Sequence, residues 1–183
     1  MAIRRILQLG DPILHEVSQP VANPGEAAAL LADMRDTLHE FQRTHGFGRG
    51  IAAVQIGRTA RVLYMEYGGV EYSLINPDFV RMSEEKVQLW DDCFSFPDLL
   101  AWVERSATVA VRYTDPAGEQ RTVEADGVFS MLIQHEMDHL DGILAVDRAI
   151  GPNGLATRAE YERQQAAGAP RSTSTPDKAP QTP

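Results

Sequence analysis

The order of hydrophobic periods along this chain predicts an α+β fold, with antiparallel sheets packed around a central helix. Three observations carry that expectation. Apolar residues recur at three- and four-residue spacing from Ala27 to Phe41. Short alternating segments, punctuated by turn signals, then run from Arg61 to Glu124. Near Asp126-Gly127 the period returns to helical and holds to about Leu140.

Asn23-Pro24-Gly25-Glu26 reads as a helix start, with an Asn cap, Pro at the first helical position and an acid in the first turn. Ala27, Leu30, Leu31, Met34, Leu38 and Phe41 give that helix one apolar stripe, and Gly46 closes it near Thr44. A glycine-rich stretch, Gly46-Phe47-Gly48-Arg49-Gly50, follows. Arg61 to Tyr67 and Val70 to Ile75 flank Gly68-Gly69, the signal of a two-residue hairpin turn. Further strands are expected at Phe79–Met82, Lys86–Trp90, Leu99–Val103 and Thr108–Tyr113, and after the turn Asp115-Pro116-Ala117-Gly118 at Gln120–Glu124. The second helix ends with Gly142 just past it as a C-cap. From Gly168 onward the composition is Ala, Pro, Ser and Thr with little to bury, so disorder is expected.

The 183 residues, 43% of them hydrophobic and 23% charged, suffice for one domain with a proper core. A formal net charge of −9 argues against nucleic acid as a partner, because such surfaces are basic. Cys93 is the single cysteine, so no intramolecular disulfide exists, and a reducing, cytoplasmic setting is the natural expectation. The N-terminal apolar run is too short for a signal peptide, and no stretch approaches the roughly 20 apolar residues that span a bilayer. Neither a membrane nor a nucleic acid is expected as a partner.

The strongest local signal is Gln134-His135-Glu136-Met137-Asp138-His139. Residues four apart share a helix face, so His135 and His139 can hold one ion together, and Glu136 beside them is placed to take a proton from water there. By itself the pattern also fits a solvated helix face. Three, four and seven residues before His135, however, stand Leu132, Met131 and Val128, which put the histidines on the apolar stripe. A catalytic site of zinc type takes three protein ligands, and Cys93 offers a soft third donor, although a lone cysteine is more often a small buried hydrophobe. Asp138 could orient a ligand histidine or simply be an exposed carboxylate.

Three segments taken in order resemble the signatures of the peptide deformylase family. Gly48-Arg49-Gly50-Ile51-Ala52-Ala53-Val54-Gln55 is similar to its glycine–x–glycine–aliphatic–Ala-Ala-x-Gln stretch, Asp92-Cys93-Phe94-Ser95 to its Gly-Cys-Leu-Ser, and Gln134 to Gly142 to its helix motif. The likeness spans about Ile3 to Ile150. It implies a catalytic domain over residues 1–151 and a C-terminal extension over 152–183, with a short helix and then a disordered tail. It also implies a hydrolase that removes the formyl group from N-formylmethionyl peptides. Carried over by position, Cys93, His135 and His139 hold one divalent metal. Fe2+ is favoured, with Zn2+, Ni2+ or Co2+ as alternatives, and the donor set alone does not choose among them. Glu136 is the general base and acid, and Gln55 with the Phe94 backbone N–H forms the oxyanion site. Gly50, Val128, Met131 and Leu132 contact substrate.

Asp91-Asp92 replaces the family's Glu-Gly, Arg49 stands where an aliphatic residue is common, and Leu100 stands where many members have a substrate-facing arginine. Trp90 and Phe96 add bulk nearby. These departures keep open a deformylase-like paralogue acting on a different formylated or amide substrate. A metallopeptidase fits less well, since no histidine follows His139, and intact Glu136 and Gln55 argue against a non-catalytic metal site. Residues 152–183 carry four basic side chains against three acidic ones, a weak basis for ribosome contact.

Overall fold

A computed structural model describes residues 2–168, so the tail expected to be disordered beyond Gly168 lies outside the described residues. The first helix begins one turn later than its Asn-Pro signal suggests. Asn23 caps a 3-10 turn, Pro24–Ala27, by accepting from the Gly25 N–H at 3.2 Å. Helix α1, Ala28–His45, continues from it and buries Leu31, Met34, Thr37, Leu38 and Phe41. Gly46 ends it in the left-handed region, its N–H bonded to Gln42 O at 2.8 Å.

Two antiparallel sheets follow. The larger contains β1 (Gly50–Ala52), β2 (Val62–Tyr67), β3 (Val70–Met82), β6 (Thr108–Thr114) and β7 (Gln120–Asp126) in spatial order 1-2-3-6-7. The smaller contains β4 (Lys86–Asp92), β5 (Leu99–Ser106) and β8 (Leu155–Thr157) in order 4-5-8. The turn at Gly68-Gly69 joins β2 to β3 in the register of a hairpin, Tyr67 opposite Val70. The two strands expected on either side of Asn76-Pro77 are one long strand, with one register shift at that point and another between Phe79 and Arg81. Asn76 takes φ +51, and its amide both accepts from Val21 N–H and donates to Val21 O, which ties the N-terminal segment to the sheet.

Sequence periodicity overlooked two short strands. β1 lies in the glycine-rich stretch and pairs with β2, and β8 lies past residue 151 and pairs with β5. Helix α3, Arg158–Ala166, follows β8 and starts with Thr157 accepting from Glu160 N–H.

Helix α2, Gly127–Leu140, packs against strands of both sheets. Phe129, Ile133, Met137 and Leu140 join Leu63, Met65, Leu74 and Val111 of the large sheet in one core cluster. Gln134 pins the helix to the end of β5: its Oε1 accepts from Ser106 N–H at 2.8 Å and its Nε2 donates to Ser106 O at 2.9 Å. Eleven of the helix's 14 residues are buried, so its polar side chains must be served from within the protein.

Candidate metal centre

The four-residue spacing on α2 puts the His135 and His139 Nε2 atoms 3.2 Å apart, and Cys93 Sγ lies 3.2 Å from His139 Nε2. Cys93 sits in the turn just after β4, where Phe96 N–H bonds back to Cys93 O. The three donor atoms lie within 4.8 Å of one another, and all three residues are buried. One thiolate and two imidazoles facing a common point fit a single divalent cation of intermediate softness.

His135 is oriented from outside the motif. Its Nδ1 lies 2.9 Å from Asp91 Oδ1, which leaves Nε2 to face the donor cluster. Burial disfavours charge on His135, but the Asp91 carboxylate outweighs it and raises the pKa of the ring well above its ordinary value. Burial and the charge of His135 act together to lower that of His139. Burial also pushes Asp91 up, but the charges and hydrogen bonds of His135 and Arg105 hold it at about 2. Arg105, only 4% exposed, donates to Asp91 Oδ2 at 2.9 Å and also to Asp138. Asp138 does not meet a ligand histidine, as its place in the motif allowed. It is held instead by Arg105, which it shares with Asp91, and by Arg148, which grips both its oxygens.

Glu136 is 3% exposed, and burial pushes its carboxyl up to about 7. Its Oε2 has no hydrogen-bond partner among the described residues. A Cβ on Gly50 would lie 2.5 Å from Glu136 Oε1, so only glycine lets β1 pass this close to the carboxylate. Gly48, with φ +114, leaves equivalent room for the Phe94 ring.

Gln55 is anchored by Oε1, which accepts from Ala52 N–H at 2.9 Å, so its Nε2 turns inward to Cys93 Sγ and Ser95 Oγ, each at 3.4 Å. Among the described residues the Phe94 N–H has no acceptor, while those of Ser95 and Phe96 bond to Cys93. These two donors and Glu136 open onto a cleft of about 360 Å³. Gly50, Val128, Met131 and Leu132, the expected substrate contacts, all line it.

Arg49, Trp90, Asp91 and Asp92 also line the cleft, whereas Leu100 and Phe96 do not. The expectation that Leu100 faces substrate is corrected. It is 2% exposed on the central strand of the small sheet, between Asp92 on β4 and Ala156 on the unforeseen β8. Sequence reasoning also missed Asp91 as the partner of His135 and Arg105 as the cation between two carboxylates. Asp91 gave a usable signal, an acid two residues before Cys93; Arg105 gave none.

Comparison with known proteins converges on one family. The family model described as polypeptide deformylase matches residues 3–153. The peptide deformylase of Natranaerobius thermophilus is 39% identical over 151 residues, covering 81% of this chain and 94% of that protein. The crystal structure of peptide deformylase from Thermotoga maritima superimposes with a TM-score of 0.77 at 30% identity, covering 82% of this chain and all of that one. A peptide deformylase from Synechococcus elongatus, solved in complex with actinonin, gives a TM-score of 0.75 at 28% identity over 91% of this chain and 90% of its own.

Proposed function

This chain belongs to the peptide deformylase family, and on that premise we propose how its own residues remove the formyl group from N-formylmethionyl peptides and release formate. It is a metal-dependent hydrolase acting on a linear amide bond. The observation that carries the residue assignment is the convergence of Cys93 Sγ and the two histidine Nε2 atoms, next to a cleft lined by Cys93, His135, Glu136 and Gln55. Cys93, His135 and His139 hold the cation, which when bound lowers the pKa of water and polarises the formyl carbonyl.

Glu136 is the proton carrier. Its oxygen without a partner is free to take a proton from the attacking water, and a carboxyl tuned towards about 7 can then return it to the departing amine. Gln55 Nε2 and the Phe94 N–H stabilise the oxyanion, and both are held in place before substrate arrives. Val128, Met131 and Leu132 supply the apolar wall for a methionine side chain, and Gly50 lets the formyl end approach Glu136.

We further propose Fe2+ as the native ion and the cytoplasm as the place of action. No helix among the described residues is long and apolar enough to cross a membrane.

The test is formate release by protein purified with iron or nickel, using formyl-Met-Ala-Ser and its unformylated counterpart. Formate from the first with no peptide cleavage of the second is the expected result. Cleavage of the unformylated peptide would establish a metallopeptidase, and inertness towards both would establish a different substrate.

A further inference from the structure

Arg158, the first residue of α3, has no part in the chemistry described above, yet it touches both lips of the cleft. Its backbone N–H donates to Asp98 O at 2.8 Å, its Nε to Pro97 O at 2.6 Å and its Nη2 to Asp92 Oδ2 at 2.7 Å. The same guanidinium lies over the Phe47 ring, its carbon 4.2 Å from the centroid. Asp92 precedes Cys93 at the end of β4, and Phe47 lies in the glycine segment that leads into β1. Both line the cleft.

β1 and β4 are edge strands of different sheets, and among the described residues no strand pairing joins them. An extended peptide lying between two such edges can bond to both only if their separation is fixed, because each ladder demands about 4.8 Å between strands. We propose that Arg158 is a positioning residue for the peptide part of the substrate. By holding Asp92 and Phe47 to one guanidinium, it sets the spacing between the glycine segment and the cysteine segment. The same bond pairs the Asp92 carboxylate, which would otherwise stand as an unpaired charge beside the peptide path. Tyr161 of α3, in ring contact with Trp90 of β4, seats the helix that carries the clamp.

The choice of substrate in this inference rests on the deformylase reading. The bridge touches none of Cys93, His135, His139, Glu136 or Gln55, so its loss acts on the binding of downstream residues and leaves the hydrolytic step alone. Kinetics of Arg158→Ala and Arg158→Lys on formyl-Met-Ala-Ser and on formyl-methionine amide test it, with Arg163→Ala on the exposed side of α3 as control. In Arg158→Ala the KM for the tripeptide should rise about 5- to 20-fold, the loss of one partly exposed ion pair and one cation–π contact, with kcat held within about threefold. The single-residue substrate should change less than about twofold, Arg158→Lys should fall between, and Arg163→Ala should match wild type.

Amide hydrogen exchange supplies a readout independent of turnover. Residues 46–50 should exchange faster in Arg158→Ala while α2 is unchanged. Equal losses on both substrates, an unchanged tripeptide KM, or unchanged exchange at 46–50 each overturn the clamp. A wild-type protein that releases no formate counts against the deformylase reading alone, and exchange then decides the clamp. Should Arg158→Ala fail to fold, Arg158→Lys carries both measurements.

Discussion

Helices α1 and α2 bury their side chains on opposite terms. α1 offers the core a stripe of Leu31, Met34, Leu38 and Phe41 and keeps its charges outside, where Arg43 pairs with Glu40 one turn away. α2 is buried almost all round, and the buried set includes Gln134, His135, Glu136, Asp138 and His139. A polar group inside a protein must be hydrogen-bonded or it costs free energy. Three of these five are fully served: Gln134 by Ser106, His135 by Asp91, and Asp138 by Arg105 and Arg148. Glu136 Oε2 and His139 Nδ1 are the helix's two buried side-chain atoms without a partner among the described residues. An apolar stripe thus explains α1 as structure, while α2 carries an electrostatic cost that only the site's chemistry accounts for.

The largest expected effect removes the unserved carboxylate. Glu136→Ala should retain the metal, because no ligand is lost, while kcat falls by about 10³–10⁴ with the proton transfer. Cys93→Ala, by contrast, should lose the metal itself. Elemental analysis beside formate assays separates the two. Near-normal turnover by metal-loaded Glu136→Ala would remove that residue from the mechanism.

Next in size is the cation beneath the site. Arg105→Ala leaves Asp91 and Asp138 buried without the charge that joins them, which typically costs about 3–5 kcal/mol of stability. The value here belongs at the lower end, because His135 and Arg148 still hold one carboxylate each. Urea unfolding of the metal-saturated protein measures it. A midpoint equal to wild type would mean that the network under α2 contributes nothing to the fold.

Gln55→Ala should cost about 10²–10³ in kcat, the loss of one oxyanion donor, with little change in metal content. An unchanged kcat would leave the Phe94 N–H as the sole donor of the proposed pair.

How much of this was legible in the sequence follows the same division. α1, the hairpin at Gly68-Gly69 and α2 announce themselves because burial on one face, or a turn that needs glycine, leaves a periodic mark. β1 and β8 left none, since three residues are too few to establish a period, and each is a strand only through its partner. The two histidine donors were legible because i, i+4 spacing on a helix is a local geometric fact, whereas Cys93 was assigned through the family resemblance. The Asp91–His135 contact was not, since it joins β4 to α2 across 44 positions. Leu100 was misread for the same reason: its register neighbour Ala156 on β8 lies more than 50 residues downstream. Arg158 likewise acts through residues 61 and 66 positions away.

The smallest expected effect sharpens the comparison from the α1 side. Arg43 and Glu40 form two hydrogen bonds, 3.0 and 2.5 Å. The Glu40 carboxyl is lowered mainly by its hydrogen bond to Arg43. Water, however, competes for every atom of an exposed pair, and ordering two long side chains offsets what attraction remains. Arg43→Ala should therefore leave the melting temperature, metal content and kcat indistinguishable from wild type, although its 2.5 Å ion pair is similar in length to those of Arg105. The pair of substitutions contrasts exposure with burial, Arg43→Ala taking an arginine from one exposed carboxylate and Arg105→Ala from two buried ones. If Arg43→Ala destabilised the protein as much as Arg105→Ala, ion-pair geometry rather than burial would govern these contacts, and the contrast drawn between the two helices would fail.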